Sequence, residues 1–494
     1  MLQRIISSLV GAALLASGSI MFASVTIYPA PSGESLATDF TVRIGDRSVP
    51  VYRVRVAPGE GSRRMEAGDY SANAHGEVFD EAAFTYFDMQ GSVDISISYK
   101  SPVTAARLLP ETSGIKLSTN GSTVRFTLSN PQNLTLEVNH DLVHSLHIFA
   151  NPMETNAPSP NDPNVVYFGP GIHEVSNLVV GDGKTLYVAG GAIVKVVVGP
   201  NETAKKTEHG NIVVYNPAIK LQGSNIKVRG HGIIDGSGLV EDKGLLQITG
   251  QNISLDGIIL RSPTHWTMPV QNSDGVTITN LKLLADRLNT DGIDIVSSHN
   301  VTVQGCFIRT FDDLIVVKTL GGKPASDIVA RGNVLWNDRA AALKVGTEVD
   351  ADVNNVTFAD NDIIADFNTQ FALRIFINDK SGVGGNVSGV TYENIRLNQI
   401  CLSGVPADHC PGLIQLWVGA SKQVPSVGLG SIRNVVFRNI QATSTESTPR
   451  IALAAHAPGG IDGVRFENVK FNGRSISKSD IKQNSFVKNV SVKP

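Results

Sequence analysis

The chain has 494 residues, of which 41% are hydrophobic and 18% charged, so it reads neither as a disordered polar segment nor as a multipass membrane protein. Its net charge of −3 gives no reason to expect nucleic acid or any other partner chosen by bulk charge. The length exceeds one ordinary globular domain, and 47 glycines with only 6% aromatics favour short strands and tight turns over packed helices: an all-β chain of two domains is expected.

Residues 1–23 read as a signal peptide, with Arg4 before an apolar run over 5–16 and small residues after it. Met21 interrupts the small-residue pattern before Ala23, so a retained N-terminal anchor is the alternative to a secreted protein, extracellular or periplasmic. In an oxidising compartment, Cys401 and Cys410 are close enough in sequence to staple one loop, leaving Cys306 as a buried free thiol. Asn-x-Ser/Thr sequons recur, Asn252, Asn300, Asn355 and Asn489 among them, but at the starts of strands rich in Asn, Val and Thr, where they say little about glycosylation.

Residues 24–150 alternate in short runs such as VDISISY (93–99), TVRFTL (123–128) and LTLEV (134–138), the pattern of a small β-sandwich. Residues 151–163, rich in proline and without periodicity, read as a linker. From 164 to 494 the sequence repeats loosely: NIKVRGHGI (225–233), NISLDGIIL (252–260), GVTITNLKL (275–283), NVTVQGCFI (300–308), DIVARGNVL (327–335), NVTFADNDI (355–363), GVTYENIRL (389–397), NVVFRNIQA (434–442) and GVRFENVKF (463–471). Each unit is a strand, a polar bend and a second strand, and most recur at near 25 residues with a few insertions. A leucine-rich solenoid lacks its leucine consensus here and propeller blades are longer, so a right-handed parallel β-helix is expected. Stacked coils of that kind make long grooves suited to linear polymers.

The densest acidic cluster lies in two consecutive coils, NTDGID (289–294) and FDDLIVVK (311–318). Asp312 follows Asp291 by 21 residues, slightly less than one coil, and is expected almost directly beside it, with Asp313 next to Asp312. Like charges at that separation raise at least one pKa, which supplies the protonated acid and ionised base that glycosidic hydrolysis needs. Neighbouring coils are expected to hold the groups at the ~6.5–9.5 Å that admits a water in an inverting reaction. A lone Asp more often caps a turn, and Asp235 and Asp294 are assigned to that role. Three carboxylates also suit a hard cation such as calcium, although no further ligands are evident, and no metal or other cofactor is expected.

These residues carry a resemblance. SPTHWTM (262–268), NTDGID (289–294), FDD (311–313), GHGIIDGSG (230–238) and LRIFINDKSGVGGNVSGVTYENI (373–395) resemble the core of glycoside hydrolase family 28, the polygalacturonases. The resemblance implies an inverting hydrolase with Asp312 as general acid, Asp291 and Asp313 activating the water, Asn289 positioning the carboxylates and Arg374 touching the sugar. Two positions depart from it. Ala341 stands where that family has a histidine in a Gly-His-Gly motif, and Phe376 stands where it has the lysine that binds the galacturonate carboxylate. A phenyl ring offers an apolar face rather than a charge, which favours a neutral sugar. A secreted β-sandwich followed by a β-helix with three Asp also resembles glycoside hydrolase family 49, the dextranases and isopullulanases, which act on neutral α-glucans.

Around the trio, His265 and Trp266 either floor a sugar subsite or pack at a coil corner. Lys344 and Glu348 either orient Asp291 or bind a hydroxyl, with a surface ion pair as the alternative. Lys318 is a further substrate-site candidate of open role, Trp336 and Trp417 are read as packing in preference to a sugar subsite, and His173 and His231 as structural. The expected activity is dextranase-like hydrolysis of a neutral polysaccharide or oligosaccharide. Polygalacturonan hydrolysis, a calcium-dependent polysaccharide lyase and a non-catalytic glycan-binding solenoid are the alternatives.

Overall fold

The computed structural model describes residues 24–57, 79–206, 213–378, 384–401, 410–419, 430–457 and 460–494; the signal peptide read over 1–23 lies outside them. Among the described residues the only helical elements are two 3-10 turns, Glu111–Ser113 and Lys478–Asp480, and no helix is long and apolar enough to cross a membrane.

The N-terminal part is a sandwich of a five-stranded and a six-stranded sheet. In Val93–Tyr99 the alternation buries Val93, Ile95 and Ile97, which meet Phe87, Leu136 and Ile148 of the facing sheet in one core. The strand Asp141–Pro152 runs two residues into the segment read as a linker: Asn151 is buried and accepts from Lys282. Beyond it, Glu154 accepts from Tyr187 at 2.8 Å, and the Arg229 guanidinium reaches the carbonyls of Thr155 and Asn156, so this stretch lies against the coils.

From Val165 the chain winds as a right-handed parallel β-helix of three faces, its strands stacked in register coil upon coil. On the first face Val276, Val301, Ile328 and Val356 fall in line and are fully buried. Further along, Phe358, Tyr392, Phe437 and Phe466 stack at centroid separations of 4.9–5.2 Å. Each inward Val, Ile or Phe contributes roughly 1.5–3 kcal/mol by leaving water. The repeated Asn has a backbone cause. Asn225, Asn252, Asn300, Asn355, Asn434 and Asn489 all hold positive φ at bends, a conformation that Asn tolerates better than other side chains. Four of those positions are sequon asparagines.

The sandwich lies against the second face. Tyr52, Phe84, Tyr86 and Phe149 share an apolar cluster with Ile233, Ile259, Phe307 and Trp336 from successive coils. Buried polar links cross the same boundary: Arg261 joins Asp235 and Glu34, His231 meets Asp88 at 2.7 Å, and Arg309 reaches His147. The turns from second to third face, and the outward side of the third face, carry the candidate site.

Candidate active site

On the third face the strands Ile293–Val296, Ile315–Thr319, Leu343–Val349, Phe371–Ile377 and Gly412–Val418 lie side by side. In each, alternate residues enter the core: Ile293 and Ile295, Ile315 and Val317, Leu343 and Val345, Leu373 and Ile375, Ile414 and Leu416. The intervening residues therefore point outward. Register puts Asp294, Val316, Lys344, Arg374 and Gln415 in one row across the coils, and Val296 and Lys318 in the row beside it; Phe376 and Trp417 are paired further along.

The trio sits on the turns that enter these strands. Ile293 pairs with Ile315, and the Gly292 N–H donates to the Asp313 carbonyl at 2.8 Å, so Asp313 rather than Asp312 stands over Asp291. The offset between the coils is 22 residues, not the 21 separating Asp291 from Asp312. By the same offset Asp312 stands over Thr290, and its side chain reaches back to Asn289, whose backbone N–H donates to its Oδ2 at 3.2 Å. Asn289 thus touches the cluster through its main chain, at positive φ. Gly292 allows the close approach: a Cβ there would fall 2.3 Å from the Leu314 carbonyl oxygen.

Asp291, Asp312 and Asp313 each offer an oxygen, and the three oxygens lie within 4.8 Å of one another. That is tighter than the ~6.5–9.5 Å expected from the sequence, because register stacks adjacent turns at the strand spacing instead of splaying them. Asp291 and Asp313 are buried at 4% and 3% exposure, whereas Asp312 is partly open to solvent. Asp291 Oδ2 accepts from Lys318 Nζ at 3.0 Å, and the same ammonium lies 2.7 Å from Asp294 and 3.9 Å from Glu348. Lys344 Nζ donates to Asp313 Oδ2 at 2.5 Å, and the Ala341 N–H donates to Asp313 Oδ1 at 3.1 Å. Among the described residues Asp312 forms no ion pair; it accepts only from backbone N–H groups, that of Asp313 at 2.9 Å being the second.

The electrostatics follow from this wiring. Burial, then the charges of Asp291 and Asp313, raise Asp312 to about 7, so it holds a proton near neutrality. Burial also pushes Asp291 and Asp294 up, with Lys318 pulling both back. Ammonium groups already 2.5–3.0 Å from Asp291 and Asp313 oppose a dication in the same place, so the donor set suits proton chemistry better than a calcium cradle.

Several expectations are corrected. Asp294 is not a turn cap; it lies fully buried in the strand Ile293–Val296 as the second carboxylate on Lys318. Lys344 orients Asp313, not Asp291. Lys318, outward beside Asp294's row, lies 3.8 Å from the Trp266 ring centroid, so Trp266 covers the ammonium. His265 adjoins Trp266, and burial with the Lys318 charge lowers its pKa to about 4, which keeps it neutral. Glu348 is partly exposed at the rim beside Lys318.

Arg374 donates to Gln415 at 2.7 Å and to Gln370, and its guanidinium stacks 4.1 Å from the Phe376 ring centroid. Trp336 is fully buried under Arg309 as a packing residue. Trp417 is partly exposed on the outward side: it stacks on Phe376 at 6.1 Å and 10°, with His456 at its edge. Cys401 and Cys410 are disulfide-bonded, and Cys306 is a buried free thiol. The sequence reading missed the part played by Asp294 and the outward place of Trp417; the period-2 alternation within their strands was the available signal.

Comparison with known proteins adds the lineage. The model of Glycosyl hydrolases family 28 matches residues 195–493. The chain belongs to that family. Over 188 residues it is 28% identical to a probable endopolygalacturonase D of Neosartorya fischeri, covering 38% of this chain and 36% of the relative. Over 254 residues it is 26% identical to a probable endopolygalacturonase of Aspergillus fumigatus, covering 47% and 63%. The match thus spans less than two thirds of either relative. In fold it resembles Dex49A from Penicillium minioluteum, with a TM-score of 0.63 at 14% identity over 94% of this chain and 96% of that one. The family 28 match begins within the coils, while the likeness to Dex49A extends over nearly the whole chain.

Proposed function

We propose that this protein is a secreted glycoside hydrolase that cleaves a polysaccharide or oligosaccharide by a single displacement with inversion. The observation that carries the reading is the division among three carboxylates. Asp312, partly exposed and raised to about 7, is suited to protonate the leaving oxygen, while Asp291 and Asp313 lie buried beside lysines. In this reading a water held by Asp313, with Asp291 beside it, attacks the anomeric carbon. Its proton passes to the carboxylate as the glycosidic oxygen takes the proton of Asp312.

The short spacing between the carboxylates is nearer to that of a retaining enzyme. Against retention, both oxygens of Asp313 are already engaged, by Lys344 and by the Ala341 N–H, and the side chain is buried. A water reaches such a group more readily than a sugar carbon does. Family membership supports the same stereochemistry.

For the substrate, Phe376 and Trp417 present stacked rings beside Arg374, a surface suited to the apolar face of a neutral sugar. The second reading is polygalacturonan hydrolysis. It is supported by the relatives named endopolygalacturonases and by the Arg374 guanidinium, which can pair with a carboxylate. A panel of neutral glycans and polygalacturonate, read out by new reducing ends, tests both. Release from none of them removes the hydrolase reading.

A further inference from the structure

We infer that Lys344 is a positioning residue that fixes Asp313 as the ionised carboxylate of the trio, and so as the group that activates water. The assignment of water activation rests on the hydrolase reading above; the ionisation of Asp313 does not.

The three carboxylates differ in how much positive charge each commands. Asp313 has an ammonium to itself: Lys344 Nζ lies 2.5 Å from its Oδ2, and no other carboxylate is in ion-pair range of that nitrogen among the described residues. Asp291 divides Lys318 with Asp294, at 3.0 and 2.7 Å, and Glu348 is 3.9 Å from the same nitrogen. Asp312 has backbone N–H groups only. A cation shared between two buried acids cannot hold both ionised as firmly as an undivided one holds a single acid.

The fold explains why Lys344 makes its direct contact with Asp313, while Asp312 feels the same charge only at longer range. It stands outward in the row of Val316 and Arg374, one coil beyond Asp313, with Leu343 and Val345 anchored in the core on either side. At 6% exposure its stem is enclosed. On the other side of its row, Arg374 is tied to Gln415 and Gln370 and faces Asp313 as a second, more distant charge. The charged groups around Asp313 are therefore Lys344 and Arg374 on one side, and Asp291, Asp312 and the Lys318–Asp294 pair on the other. Removing Lys344 leaves the acids in the majority, and a proton moves onto Asp313.

The test reads ionisation directly and then activity. Carboxyl 13C NMR of Asp-labelled protein, with Asp313 and Asp312 assigned by Asp→Asn variants, should show in the wild type that Asp313 takes up its proton at least one pH unit below Asp312. In Lys344→Met, which keeps the stem and removes the charge, the Asp313 step should rise by one unit or more, and Lys344→Arg should return it. On a cleaved glycan, Lys344→Met should move the acidic limb of kcat/KM upward by the same amount, with KM changed less than threefold. Asp313 and Asp312 titrating together in the wild type would overturn the inference, even if the variant fails to fold. So would an Asp313 step that Lys344→Met leaves in place. If the wild type cleaves no glycan, the hydrolase reading fails while the titration still decides this one.

Discussion

Lys344 Nζ lies 2.5 Å from Asp313 Oδ2, whereas Asp312, its immediate neighbour in sequence, is bonded only by main-chain N–H groups. Adjacent residues at one turn thus differ in their surroundings: Asp313 has an ammonium in contact, whereas at Asp312 the charges of Asp291 and Asp313 outweigh the more distant Lys344. That asymmetry separates acid from base. Asp312→Asn should lower turnover on a natural glycan by about 10³-fold or more, yet lose much less on an aryl glycoside whose leaving group needs no proton. Asp313→Asn should lose comparably on both. Equal losses for the two variants on both substrates would remove the assignment of roles.

The proton on Asp312 also sets a pH limit. A general acid works only while protonated, and Asp312 ionises as pH rises through about 7, so kcat/KM should fall on the alkaline side with a limb near that value. A pH profile on any cleaved substrate checks this. A limb lying above pH 9 would place the acid elsewhere.

Substrate choice turns on Phe376. Placing a uronate carboxylate against a phenyl ring costs several kcal/mol unless a counter-ion is supplied, and the Arg374 guanidinium is already engaged by Gln370 and Gln415. A neutral glucan or galactan should therefore be cleaved at least tenfold faster than polygalacturonate, and Phe376→Lys should narrow the gap. Polygalacturonate emerging as the best substrate would show that the ring is not the determinant.

The repeats made the β-helix legible in the sequence because a coil must return its Val, Ile and Leu to the core at each turn, and Asn recurs where the backbone takes positive φ. The acidic trio was legible for a similar reason, two of its members being consecutive and the third about one coil away. Register was not. The coil offset of 22 residues placed Asp313, instead of Asp312, over Asp291. Nor was the place of Asp294: a motif so near a turn suggested a cap, while the alternation of Ile293 and Ile295 inward put it at the site. How closely the sandwich sits on the helix was also hidden, since aromatic residues such as Trp336 and Phe149 carry no mark of which partner will bury them.

That docking has a consequence for stability. Trp336 is fully buried between Arg309, His147 and Phe367, in the cluster shared by sandwich and coils. Trp336→Ala should cost about 3–5 kcal/mol, seen as a lower denaturant midpoint. The wild type should lose its sandwich and coil signals in one transition. Two separate transitions in the wild type would mean that the shared cluster does not couple the two parts.

The stereochemistry of the first product tests the hydrolytic mechanism most directly. Proton NMR in the first minutes of cleavage, before mutarotation, should show the new reducing end with the anomeric configuration opposite to that of the bond broken. A retained anomer at early times would contradict a water activated by Asp313, and so would an unsaturated sugar end, the mark of elimination.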